Sequence, residues 1–364
     1  MQRDPRFFGA GEARHGSRPK ESTSPAAAPL TPPNRASRES IRLSSETSRA
    51  VHACSNTRFA AVMVYRYLRA FRPTPHGELM IRTIALASAL LLVAGAVHSQ
   101  NLDGRLKKIA AAKTITIAYR ADATPFSFTD DKKQVVGFSI DLCKRVVNSI
   151  ERQLNVQGLQ VKWLPVTTQT RFDAVAKGQA DMECGSSTVT LSRLKQVDFS
   201  SYIFVESTAL LIKGASGLRS LSDMSGKKIA VVGGTTNERA VNVQLNRRQL
   251  SATVTPFATR DEAFAALDDG RVDAFASDKL LLVGAAFKAK DQKSLTLLPD
   301  ELSIEPYGIV LPRGDAAFRL AVNTGLSQIF GSGEIVEIYS RWFRQFGEPG
   351  PVMKALYLLG AIPE

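Results

Sequence analysis

Residues 180–200 read ADMECGSSTVTLSRLKQVDFS, with Ser186, Ser187 and Thr188 in a row just past a short apolar segment and Arg193 five residues further on. Hydroxyls, loop amides and a guanidinium together make a seat for a small carboxylate, because all of them donate hydrogen bonds and the guanidinium adds charge in a fork that matches two oxygens. The same residues also read as a loop with a helix start, in which Thr190 caps a helix beginning at Leu191. The local pattern leaves both readings open.

Other chemistry is easier to exclude. All four histidines, His15, His52, His76 and His98, precede residue 100. Beyond that point the chain has no histidine for a nucleophilic triad, a general base or a metal ligand, so no catalytic residue, metal or cofactor is expected. Asp181 and Glu183 are the obvious carboxylate pair, but alternate residues of a buried strand are more often structural. Cys143 and Cys184 are either a disulfide, as an exported protein permits, or two buried small thiols.

The elements that must position these residues follow from the rest of the chain. Residues 1–79 are rich in Arg, Ser, Pro and Ala without apolar periodicity, and are expected to be disordered or a wrongly extended reading frame. MIRTIALASALLLVAGAVHSQ, 80–100, has the length and composition of a cleavable export signal ending near residue 99, with Met80 as the true start. Of the formal net charge of +13, residues 1–79 carry +7, and removing them with Arg82 leaves +5. The exported chain is then only mildly basic, and a nucleic-acid partner is not expected.

From residue 113 strand and helix patterns alternate: TITIAY and VVGFS as strands, IDLCKRVVNSIERQL as an amphipathic helix, then LQVKWLPV, TRFDAVAKG, ADMEC and SRLKQV. One long extended segment, YIFVESTALLIK, leads to a second such series, KKIAVVGG to DKLLLVGAAFKA, and another, ELSIEPYGIVL, leads back to two closing helices. Two α/β units joined by two extended segments imply two lobes, a hinge, and a ligand cleft at the strand ends.

The segments AYRADATPFSF, VVGFSIDLC, TTQTRFDAVAKGQADMECGSSTVTLSR, FSSYIF, GGTTNE, LDDGRVDAFASD and YGIVL, in this order over residues 102–343, resemble the periplasmic polar amino-acid-binding proteins of ABC transporters, solute-binding protein family 3, and most of all their glutamate/aspartate-binding members. The resemblance implies an α/β, two-lobed periplasmic-binding-protein fold (type II) with lobe 1 at 100–205 plus 306–346, lobe 2 at 206–305 and a tail at 347–364. It implies a monomer in the periplasm that captures a free acidic amino acid and delivers it to membrane permease subunits.

Residue by residue, the resemblance puts Ser186, Thr188 and Arg193 on the ligand α-carboxylate, with Thr235 and Thr236 offering a helix N-terminus to the same group. Locally, Thr235 also reads as a capping box with Glu238. Asp278 falls on the partner of the α-ammonium, although Asp after a strand is also a common N-cap. Side-chain specificity falls on Arg120, Thr168, Arg171 and Arg260. Several arginines in one cleft repel one another unless a second anion joins them, which points to a dicarboxylic ligand. Arg171 and Arg260 also read as solvated helix charges. Arg260 stands where the glutamate/aspartate members are expected to carry histidine, which leaves glutamate, aspartate and their amides open. The rival functions are a dehydratase-like enzyme and a membrane-tethered sensor on the same fold.

Overall fold

The computed structural model describes residues 104–363, so the expectations for residues 1–79 and for the export signal lie outside the described residues. The first strand, β1 (Thr114–Arg120), alternates as its sequence TITIAYR demands: Ile115 and Ile117 are fully buried, and Arg120 ends the strand at the cleft. It lies parallel to β5 (Gln160–Val166) and β6 (Met182–Cys184). The remaining members are β7 (Asp198–Glu206) and β13 (Glu305–Leu311), with β13 antiparallel to β6 and β7, in the order β5-β1-β6-β13-β7.

The second sheet repeats this plan. It holds β8 (Thr208–Lys213), β9 (Lys228–Val232), β10 (Thr253–Phe257), β11 (Ala274–Asp278) and β12 (Leu295–Leu297) in the order β10-β9-β11-β8-β12, with β8 as the antiparallel member. In each sheet the strand next to the far edge is the one the chain uses on crossing from the other lobe. The segment 202–213, expected as one long strand, is therefore two strands, β7 and β8, in different sheets, broken at Ser207.

A second local expectation also needs correction. VVGFS is not one strand: β4 (Val135–Val136) ends before Gly137, and α2 (Phe138–Gln153) starts directly after it. Gly137 has φ 136°, and a Cβ there would fall 2.2 Å from the Phe126 carbonyl oxygen, so only glycine permits the turn from strand to helix. β4 completes a three-stranded sheet with β2 (Asp122–Ala123) and β3 (Ser127–Thr129). The amphipathic face of α2 buries Phe138, Leu142, Cys143, Val146 and Ile150.

The first-lobe core is aromatic at its centre. Phe126, Phe138, Phe204, Tyr307 and Phe343 meet at ring-centroid distances of 5.0–6.3 Å. The disulfide Cys143–Cys184 pins α2 to β6. The other helices are α1 (Gly104–Ala112), α3 (Arg171–Ala176), α4 (Thr236–Arg247), α5 (Arg260–Asp268), α6 (Lys279–Ala286), α7 (Ala316–Gly331), α8 (Glu334–Phe343) and α9 (Pro351–Gly360).

The segment read as a tail thus holds a helix, started by Pro351, that buries Met353 and Tyr357. It covers edge strand β7, whose Val205 N–H donates to Met353 Sδ at 3.3 Å. No described helix is long and apolar enough to cross a membrane.

Candidate ligand-binding site

Polar residues that would be exposed on isolated elements are buried where the strand ends of the two lobes face each other. Arg120, Thr168, Arg171, Thr188, Arg260 and Asp278 are all less than a tenth exposed. Arg120 is at the end of β1, Arg171 opens α3, and the 185–188 loop follows β6. From the second lobe come Thr236 at the start of α4, Arg260 at the start of α5 and Asp278 at the end of β11. Ser186, Arg193, Thr235 and Thr236 are half-buried.

The expected helix at 191–197 is one 3₁₀ turn, Arg193–Lys195. Thr190 does act at its start, its hydroxyl accepting from the Arg193 N–H at 3.2 Å. The turn directs Arg193 inward, where Nη1 donates to the Thr188 carbonyl at 2.7 Å. The Arg171 and Arg193 guanidiniums both lie over the Phe172 ring, at 4.4 and 4.8 Å from its centroid. Arg171 Nε donates to Ser187 Oγ at 2.9 Å, and Ser187 donates onward to Glu183 Oε2 at 2.8 Å. Arg171 Nη1 donates to the Thr168 carbonyl. The hydroxyl that fixes Arg171 is therefore that of Ser187, while Ser186 stands beside it in the loop.

The opposite side of the site is acidic. Thr188 Oγ1 donates to Glu305 Oε2 at 2.7 Å and lies 3.4 Å from Thr236 Oγ1, so the lobes meet at these hydroxyls. The Thr235 hydroxyl is committed to the start of α4, accepting from the Glu238 N–H and donating to the Val232 carbonyl. Asp278 occupies the N-cap position of α6 but makes no side-chain cap bond. Its Oδ1 instead accepts from Asn237 Nδ2 at 3.1 Å. Glu206, at the end of β7, takes over the helix start: its carboxylate accepts from the Ser207 and Leu280 N–H groups at 3.1 and 3.3 Å.

Arg260 is not a solvated helix charge. It is buried, and Nη1 reaches across the lobes to Asp122, at 3.2 Å from the carbonyl and 3.3 Å from Oδ2. Arg120 Nη2 meets both oxygens of the same carboxylate, at 2.7 and 2.9 Å. Nearby, the Thr124 carbonyl of the first lobe lies against Gly284 of α6, where a Cβ would fall 2.3 Å from it.

Burial works against the charges of Arg120, Arg171, Arg193, Asp278 and Glu206. Arg171 is pushed down to about 9, first by burial and then by its neighbours Arg120 and Arg193. Burial also lowers Arg120 and Arg193, although Asp122 opposes the change at the first and Glu305 and Asp278 at the second. Asp278 is raised to about 6 by burial and by Glu305, and Glu206 to about 8 by burial and by Asp278. A cluster of destabilised guanidiniums facing destabilised carboxylates is relieved by a ligand that brings anionic groups to one side and a cation to the other. No cluster suited to a metal ion occurs among the described residues.

Sequence reasoning named Ser187 in the hydroxyl loop without giving it a role of its own, missed Asp122, Phe172, Glu206, Asn237 and Glu305 as parts of this site, and read Glu183 only as a structural carboxylate. For Asp122, Glu206 and Glu305 the sequence-level signal is a carboxylate at the first or last position of a strand, whereas Phe172 on α3 and Asn237 on α4 carry none.

Residues 115–345 match the bacterial extracellular solute-binding proteins, family 3. The chain is 35% identical over 263 residues to an L-glutamate/L-aspartate-binding protein of Pseudomonas aeruginosa, covering 72% of this chain and 87% of that one. It is 32% identical over 266 residues to a glutamate/aspartate import solute-binding protein of Salmonella typhimurium, with coverage of 71% and 88%. Among solved structures it is similar to an ancestral amino acid-binding protein that is a precursor of cyclohexadienyl dehydratase, at 28% identity and TM-score 0.58 over 66% of this chain and 100% of that one.

Proposed function

Because this chain belongs to the bacterial extracellular solute-binding proteins of family 3, we propose that it captures glutamate or aspartate outside the cytoplasm and delivers it to the permease of an ABC transporter. The observation that carries this reading is the gathering of the guanidiniums of Arg120, Arg171 and Arg193, buried or half-buried, with the buried carboxylates of Asp278 and Glu305 at the junction of two lobes.

Arg193, Thr188 and Thr236 take the α-carboxylate, with Ser186 beside them and Thr235 holding the start of α4. Asp278 takes the α-ammonium. Arg171 and Arg120, ordered by Thr168, Ser187 and Asp122, take the distal carboxylate. A charge-assisted bond of this kind is worth about 1.5–3 kcal/mol, so three ionic groups met at once suffice for a tight, selective site.

The lobes, 100–205 with 306–346 and 206–305, close on the ligand about the crossings between β7 and β8 and between β12 and β13. The protein acts in the periplasm as a monomer, and the permease reads the closed form. Its work is capture without chemical change: one relative above is an L-glutamate/L-aspartate-binding protein, the other a glutamate/aspartate import solute-binding protein, and the dehydratase precursor among the similar structures is itself described as an amino acid-binding protein.

Titration calorimetry of the purified protein with glutamate, aspartate, glutamine and asparagine tests the proposal. Saturable one-to-one binding of an acidic ligand, recovered unchanged after incubation, is expected. Failure of both acids to bind, or their conversion, overturns it.

A further inference from the structure

Four guanidiniums converge on the cleft, and they are not equivalent. Arg171 and Arg193 donate to neutral oxygens, of Ser187, Thr168 and Thr188, and make no ion pair with a carboxylate among the described residues. Arg120 and Arg260 share one carboxylate, Asp122, with N–O distances of 2.7 and 3.3 Å and side-chain exposures of 3% and 6%. The Nε atoms of Arg120 and Arg260 are buried without a hydrogen-bond partner. Asp122 thus holds Nη groups of both residues, and joins β2 of the first lobe to α5 of the second.

We propose that Asp122 is a specificity-determining residue: a carboxylate of the protein itself that occupies donors of Arg120 and Arg260 and so limits how strongly the site prefers an acidic ligand side chain to its amide. This rests on the glutamate/aspartate reading above. Two guanidiniums without a carboxylate partner, Arg171 and Arg193, match the two carboxylates of a dicarboxylic amino acid. Without the Asp122 charge, Arg120 would meet the distal group uncompensated and Arg260 would join it, and a neutral amide would gain far less from this than a carboxylate. Burial disfavours the charge on Asp122, but Arg260 and Arg120 hold its carboxyl below the usual range, so it remains an anion at neutral pH. Because Arg260 arrives with the second lobe, Asp122 also adds to closure for every ligand, and that contribution cancels when ligands are compared on one variant.

The test is calorimetry with glutamate, aspartate, glutamine and asparagine on the wild type, Asp122→Asn, Arg260→Gln and the double variant. Asp122→Asn is expected to raise the ratio of acid to amide affinity by about tenfold, the size of one charge-assisted contact, whatever happens to the absolute values. Arg260→Gln alone is expected to weaken all four ligands together, whereas in the Asp122→Asn background it should remove the acid-specific gain. Thermal melts without ligand confirm that each variant folds. An unchanged or reduced ratio in folded Asp122→Asn overturns the inference while leaving acidic-ligand binding by the wild type intact. If the wild type binds neither acid, the functional reading and this inference fall together.

Discussion

Arg193 and the pair Arg120 and Arg171 are assigned to opposite ends of the ligand, so their loss reads out differently. Arg193→Ala is expected to weaken glutamate, aspartate, glutamine and asparagine alike, by about 1.5–3 kcal/mol or more, since all four carry the α-carboxylate. Arg120→Ala and Arg171→Ala should weaken the two acids more than the two amides. Equal losses for acids and amides, seen by calorimetric titration, would show that these two arginines do not meet a distal carboxylate. The carboxylates add a pH dependence of two signs. Asp278 and Glu206 are raised to about 6 and about 8 in the fold, so each takes up a proton on folding. Their contribution to stability is fully present below the unfolded value of about 4 and is lost as pH rises through about 6 and about 8. The unliganded melting temperature should therefore fall between pH 5 and 8.5, and Glu206→Gln should flatten that slope. Binding runs the other way: the α-ammonium needs ionised Asp278, so affinity for glutamate should drop as pH falls below about 6.

Among the elements, the link between α2 and β6 is the most economical to test. The disulfide spans 41 residues, and closing a loop of that size in the unfolded chain contributes about 4 kcal/mol in the chain-entropy model. Reduction, or Cys143→Ala with Cys184→Ala, should lower the denaturation midpoint substantially; an unchanged midpoint would mean that the bond adds nothing to stability. Much of this level was legible in the chain. Alternating Ile115 and Ile117 and the apolar face of α2 announce their elements, and the hinge-bearing segments are visible as unusually long extended runs. What was not legible depends on contacts between lobes. A local rule makes Asp278 a helix cap, yet Glu206, 72 residues earlier, holds that helix start and frees Asp278 for the site. Asp122 and Arg260 lie 138 positions apart, and neither carries a local signal of the other. The arginine and threonine positions of the site came from resemblance in order and spacing, while periodicity alone would have left Arg171 and Arg260 as solvated charges.

At the scale of the molecule, two sheets of identical plan joined by two crossings make a hinge the expected mode of response. Small-angle scattering should show a smaller radius of gyration on adding saturating glutamate or aspartate. An unchanged radius with calorimetrically confirmed binding would argue against closure. Thr124 and Gly284 are a point at which the two lobes touch. A Cβ on Gly284 would fall 2.3 Å from the Thr124 carbonyl oxygen and 3.2 Å from the Thr124 Cβ, so this approach of the two lobes depends on the absence of a single methyl group. Placing one there, as Gly284→Ala, inserts a doorstop between the lobes, against Thr124, two residues along the chain from Asp122. Such a protein would still collect its cargo yet present the permease with a door left ajar, which separates the affinity of a receptor from its ability to be unloaded.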